Sequence, residues 1–190
     1  MIVGYQGEPG AFSESAAVAL VDGAETRGFR NFAALIDALV GGEIVFAVIP
    51  VENSIVGMLE EPRRLLSVHS LRVVDELTME IEHCLIGTAD SQVAGLRCVR
   101  SHPVALAQCR RYLAGLHGVV AEEAEDTAGA VREIAERGDA AVAAIAPKRA
   151  AATYGGRVLV RAIQDSATNR TRFCLVAVAR ATEVFSSPRS

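Results

Sequence analysis

Residues 163–178 read IQDSATNRTRFCLVAV: a polar connector, Gln164 to Asn169, and then an extended run that opens at Thr171-Arg172-Phe173 and continues through Val178. Whether this last strand joins the elements just before it or returns to the start of the chain decides the architecture. The return is the reading adopted here, because a chain that crosses twice between lobes leaves a cleft with two hinges, near residues 77 and 167. The lobes are then 1–77 plus 167–190, and 78–166.

Working outward, Ile2 to Tyr5 is a short buried-strand pattern running into Gln6-Gly7-Glu8-Pro9-Gly10, a turn-forming loop. A helix follows from Ser13, read as its cap. Asn31 caps a second, with Phe32, Leu35, Ile36, Leu39 and Val40 at helical spacing and Gly41-Gly42 at its end. Ile44 to Ile49 is a continuous apolar run closed by Pro50, as in a strand buried on both faces, with Glu52-Asn53-Ser54 beyond it. After a helix around Pro62–Leu66, residues 71–77 and 79–86 read as extended, the second with Met79, Ile81, His83 and Leu85 on one face. Strands and helices then alternate to Val160, which predicts a parallel, doubly wound α/β lobe. The tail after Arg180 reads as frayed.

Composition narrows the function. The 190 residues carry 19 Lys+Arg against 23 Asp+Glu, a net charge of −4, with 51% hydrophobic residues. That apolar share supports a packed core, and no basic cluster is present to bind nucleic acid. Without an export signal or a membrane-length apolar stretch, a cytoplasmic location is expected. Cys84, Cys98, Cys109 and Cys174 lack ligand spacing and read as small core residues, so no metal is expected. Asn169-Arg170-Thr171 matches a glycosylation sequon only by accident in such a chain.

Open α/β sheets bind ligands beyond the carboxyl ends of their strands, which singles out Gln6-Gly7-Glu8, Glu52-Asn53-Ser54, Ser101-His102-Pro103 and Asp126-Thr127. Ser101 either caps the helix that Pro103 opens or sets its amides to hold an anion. Gln108, seven residues on, either shares that face or is a solvated helix residue, and His102 reads as a loop histidine. Glu52 either braces the Asn53-Ser54 turn or does acid chemistry in a poorly solvated place. Asp126 supports a helix start. Thr171 and Arg172 are equally compatible with an ordinary strand entrance.

The ordered motifs GYQGEPGAFSE (4–14), PVENSIVG (50–57), VRSHPVALAQC (99–109), DTAGAV (126–131), YGGRVL (154–159) and IQDSATNRTRF (163–173) resemble those of the prephenate dehydratases and their arogenate-using relatives. The resemblance implies a two-lobed α/β fold similar to the type II periplasmic binding proteins, with an active-site cleft between the lobes. It implies a carbon–oxygen lyase that removes carbon dioxide and the ring hydroxyl from prephenate to give phenylpyruvate in phenylalanine biosynthesis, with no cofactor. Carried over by motif, Thr171 is the proton donor to the departing hydroxyl. Asn53, Ser54, Ser101 and Gln108 line the pocket, Arg172 lies near the substrate's negative charge, and Glu52 and Thr127 are secondary binding residues. Phe173 and Gly57 are structural. Val104 departs from the glutamine that often follows this proline in the family.

A homodimer with a small-molecule substrate is the expected assembly. With 17 residues after Phe173, no fused ACT regulatory domain is expected. The rival activities are an arogenate dehydratase, a prephenate decarboxylase-like enzyme, against which Thr171-Arg172-Phe173 speaks, and a non-catalytic module binding a small anion.

Overall fold

The structure is a computed structural model that describes residues 1–68 and 71–179. It divides into two units: Met1–Gln6, Ser13–Met79 and Arg170–Ser190 form the first, and Gly7–Phe12 with Glu80–Asn169 form the second. The fraying anticipated after Arg180 lies outside the described residues. Among those residues no helix is long and apolar enough to cross a membrane.

The first unit is built from β1 (Ile2–Gln6), α1 (Phe12–Leu20), β2 (Glu25–Phe29), α2 (Phe32–Val40), β3 (Phe46–Asn53), β4 (Gly57–Met58), α3 (Glu60–Val68) and β5 (Leu71–Glu80), with Phe12 and Glu80 counted in the second unit. Its sheet runs β2-β1-β3-β11-β5, where β11 (Arg170–Val178) is the returning strand, and β4 pairs beside β3. Strand β1 is parallel to β2 and β3, whereas β11 is antiparallel to β3. The Asn31 side chain accepts from the Ala34 amide at 2.9 Å and starts α2, whose Leu35, Ile36 and Leu39 pack with Ile49, Cys174 and Val176 on one face of the sheet. Burying each such side chain contributes about 1.5–3 kcal/mol.

Two local expectations are corrected. Ser13 lies inside the first turn of α1 and is not its cap. Pro50 does not close β3, which continues to Asn53. The register passes from Arg172 opposite Glu52 to Phe173 opposite Pro50, so Val51 is an extra residue and the ladder breaks where proline has no N–H to give.

The second unit contains β6 (Cys84–Gly87), β7 (Cys98–Ser101), α4 (Pro103–Gln108), α5 (Arg110–Ala114), β8 (Val120–Glu123), α6 (Thr127–Arg137), β9 (Val142–Ala146), α7 (Lys148–Tyr154) and β10 (Arg157–Val160), in sheet order β10-β6-β9-β7-β8. This sheet is mixed rather than all parallel. Strand β7 is parallel to β8 and β9, but β6 runs antiparallel to β9 and to β10. No crossover helix leads into β6, so nothing forces it parallel. Alternation sends Cys84, Ile86, Ala144 and Ala146 to the α6 and α7 side, and Leu85, Val99, Ala143 and Ile145 to the side of Ala105 and Cys109.

Residues 7–12, read from the sequence as part of the first lobe, belong with the second unit because their contacts lie there. Glu8 pairs with Arg132 at 3.6 Å, and the Phe12 ring meets His83 edge-on at 5.5 Å. At Gly10, φ is +91°, and a Cβ would stand 2.7 Å from the Ala150 Cα. Gly10→Ala therefore combines a disfavoured backbone with an unyielding clash, and is expected to destabilise the protein by about 1–3 kcal/mol, read as a lower urea midpoint. An unchanged midpoint would show that this loop does not rest on α7.

Candidate active site

In the first unit the site grows from the antiparallel pairing of β3 and β11, which sets Thr171 opposite Asn53 and Arg172 opposite Glu52. Asn53 and Thr171 are both buried, at 7% and 8% exposure. The Asn53 Oδ1 accepts from the amides of Ile55 at 2.9 Å and Val56 at 3.1 Å, which turns the chain after β3. Its Nδ2 donates to the Thr171 Oγ1 at 2.8 Å and to the Arg170 carbonyl at 3.1 Å. Ser54 closes the same corner: its amide donates to the Arg170 carbonyl and its Oγ accepts from the Arg170 amide, each at 2.9 Å. Gly57 lies opposite Asn53 with φ +87°, which a side chain would strain.

Asn53 is thus committed on both ends of its amide. The Thr171 oxygen accepts a hydrogen bond, while its own proton has no acceptor among the described residues. A hydroxyl so placed keeps its proton for donation.

Neighbouring residues on a strand face opposite ways, so Arg172 is turned from the Thr171 hydroxyl. It lies between Glu76, at 3.1 Å, and Glu52, at 3.2 Å. Arg172, expected beside a substrate anion, pairs here with these two carboxylates. The expectation of a poorly solvated Glu52 fails, since its side chain is 46% exposed. Phe173 is a core residue at 2% exposure.

In the second unit Ser101 ends β7 and is fully buried, its Oγ donating to the Ile145 carbonyl at 2.6 Å. The cap of α4 is His102, not Ser101: His102 Nδ1 accepts from the Val104 amide at 3.2 Å, and the His102 carbonyl takes the Ala105 and Leu106 amides. Three of the amides imagined for an anion are therefore already used. Asp126 caps α6 through the Gly129 amide, with half-buried Thr127 following.

Gln108, the last residue of α4, is no solvated bystander. Its Oε1 lies 2.8 Å from the His83 Nε2 and 2.9 Å from the Asn169 Nδ2, and its carbonyl accepts from the Asp165 amide at 2.7 Å. His83 is 3% exposed, and its own amide donates to the Gln164 Oε1 at 3.0 Å. Sequence reasoning missed both His83 and Asn169. The available signal was a histidine on the inward parity of an apolar strand pattern, where a polar side chain needs a partner.

Burial raises all four thiols, Cys109 to about 12, which leaves them inert at neutral pH. No cluster of His, Cys, Asp or Glu among the described residues could hold a metal ion.

Comparison with known proteins agrees with the order of motifs. The family profile described as prephenate dehydratase matches residues 3–181. Arogenate dehydratase/prephenate dehydratase 2 of Arabidopsis thaliana is 39% identical over 92% of this chain and 46% of its own length. The chain thus spans about half the length of the curated relatives it matches. Two solved structures superpose with a TM-score of 0.85: GqqA, described as a novel type of quorum quenching acylase, at 33% identity over all of this chain and 66% of its own, and the prephenate dehydratase of Arthrobacter aurescens in complex with L-Phe, at 24% over 94% and 60%. A nutrient binding protein of Burkholderia cenocepacia bound to methionine shares the fold at 13% identity and a TM-score of 0.51, over 95% and 85% of the two chains.

Burial also holds the His83 imidazole below its ordinary value, with the Gln108 hydrogen bond opposing the shift. Above about pH 6.5 the ring is neutral whether folded or not; below it the unfolded chain takes up the proton first. Stability is therefore lost as pH falls from about 6.5 toward the depressed folded value, by up to about 1.4 kcal/mol per pH unit. His83→Gln should flatten this part of the profile of urea midpoint against pH, and parallel profiles would exclude the group.

Proposed function

Because the chain belongs to the prephenate dehydratase family, we propose that it is a carbon–oxygen lyase converting prephenate to phenylpyruvate in phenylalanine biosynthesis. The observation that carries this reading is the Thr171 hydroxyl, its oxygen held by Asn53 and its proton left to give.

In the reaction the ring carboxylate leaves as carbon dioxide. The electrons of the broken carbon–carbon bond move through the ring, and the carbon–oxygen bond on the far side breaks. The departing hydroxyl takes a proton from Thr171 and leaves as water, and solvent restores that proton. The new aromatic ring makes the products far more stable, so the site needs to orient the substrate and stabilise a poor leaving group rather than supply a strong base. Threonine is a weak acid, and its hydrogen bond helps by strengthening as charge develops on the leaving oxygen.

Asn53 acts in this reading as the residue that orients Thr171, with Ser54 bracing the same corner. Gln108, Ser101 and Thr127 lie in the family's motifs and are read as substrate-binding residues. Arg172 and Glu52 steady the entrance to β11. Arogenate, which has an amino group where prephenate has the keto oxygen, is an equally consistent substrate, as the names of the plant relatives suggest. A cytoplasmic homodimer belongs to the same proposal, and light scattering on a sizing column tests the dimer.

Incubation with prephenate and with arogenate, following phenylpyruvate by ultraviolet absorbance and phenylalanine by chromatography, decides between the substrates. Release of carbon dioxide with the hydroxyl retained would indicate a decarboxylase, and binding without turnover a non-catalytic module. Thr171→Ala is expected to lower kcat by about 10²–10⁴-fold with a smaller change in KM, while Thr171→Ser keeps more activity. Equal turnover in wild type and Thr171→Ala would remove the threonine from the mechanism.

A further inference from the structure

His83 is a buried histidine that the proposed chemistry leaves without a task. Its Nε2 faces the Gln108 Oε1, which also faces the Asn169 Nδ2, and its buried Nδ1 has no hydrogen-bond partner among the described residues. These contacts fix the protons. An oxygen that receives the Asn169 amide is an acceptor, so the His83 Nε2 carries the hydrogen and Nδ1 is a bare lone pair.

The reversed arrangement would present the Gln108 Nε2 to both neighbours. The His83 proton would then sit on Nδ1, as a buried N–H with no acceptor, and Asn169 would have to turn its oxygen inward. A buried N–H without an acceptor is the rarer defect in folded proteins. One orientation of the Gln108 amide is therefore selected, with Oε1 occupied twice and Nε2 left without a partner among the described residues.

We propose that His83 and Asn169 are positioning residues which lock the Gln108 side chain so that its Nε2 donates to an acceptor oxygen of the substrate, a carboxylate or a carbonyl. This rests on the dehydratase reading for the identity of the substrate, but the lock itself is a property of the free protein. The Phe12 ring packs against the imidazole in a T-shaped contact at 5.5 Å, and Gln164 holds the His83 backbone amide at 3.0 Å.

The test has two arms. Nitrogen-15 NMR of the wild-type protein without substrate, at neutral pH, is expected to show His83 protonated on Nε2 and bare on Nδ1; the opposite tautomer overturns the proposal whatever the enzyme does. In steady-state assays with prephenate and arogenate, His83→Phe is expected to raise KM about tenfold with kcat changed less than about threefold. His83→Gln, which returns an N–H near the Nε2 position, should recover most of the loss, whereas His83→Asn should not. Adding His83→Phe to Gln108→Ala should change KM no further, because both act through one amide. Additive effects, or an unchanged KM in His83→Phe, would overturn the positioning role. Should His83→Phe not fold, the Gln and Asn variants carry the comparison. If wild type turns over neither substrate, the dehydratase reading fails, and the NMR result still decides for or against the lock.

Discussion

The hydrogen bond from the Asn53 amide to the Thr171 hydroxyl exists only while β11 lies against β3 in one register. A slip of one residue would send Thr171 to the face where Arg172 now meets Glu52 and Glu76, and would bring the guanidinium round to Asn53. Several features guard that register: the extra residue at Val51, the reciprocal bonds between Ser54 and Arg170, and the cross-strand ion pair. The ion pair is partly exposed and contributes little alone. The buried amide, bonded at both ends, contributes most of the specificity.

Two side-chain amides, one in each unit, are committed in opposite ways. Asn53 is used up: its oxygen turns the chain and its nitrogen holds Thr171, so it orients that hydroxyl without offering anything of its own. Gln108 spends only its oxygen, on His83 and Asn169. The first amide makes a donor of a neighbour, and the second remains a donor itself. Neither arrangement needs a charged group, which suits the proposed dehydration, driven by aromatisation.

Much of this was legible in the amino-acid order, because periodicity and capping are local. Asn31, the α2 stripe and the apolar run of β3 read directly as what they are. The motifs carrying Asn53 and Thr171 lie far apart in the sequence, and the structure brings these two residues opposite one another. What escaped was non-local. A proline reads as a strand end, yet Pro50 is tolerated because a partner 123 positions away skips a residue there. Ser101 reads as a cap, yet its hydroxyl is taken by a carbonyl on another strand, which leaves capping to His102. The partnership of His83 with Gln108 and Asn169 joins the end of α4 to two connecting segments that no window of sequence contains. The two acidic neighbours of Arg172, one on β3 and one on β5, are likewise visible only in the fold.

The place of β11 between β3 and β5 has a consequence for how the chain matures. Apart from Gly7–Phe12, the second unit is contiguous in sequence and complete once residue 169 has emerged from the ribosome. The first sheet is by then synthesised except for one interior strand, so the nascent chain must wait with the facing edges of β3 and β5 open. Those unfilled edges are a hazard for strand pairing between molecules. Only when the last strand slides into the gap does the sheet close, and the same insertion sets Thr171 against Asn53, so that buried pair is completed by the final step of folding.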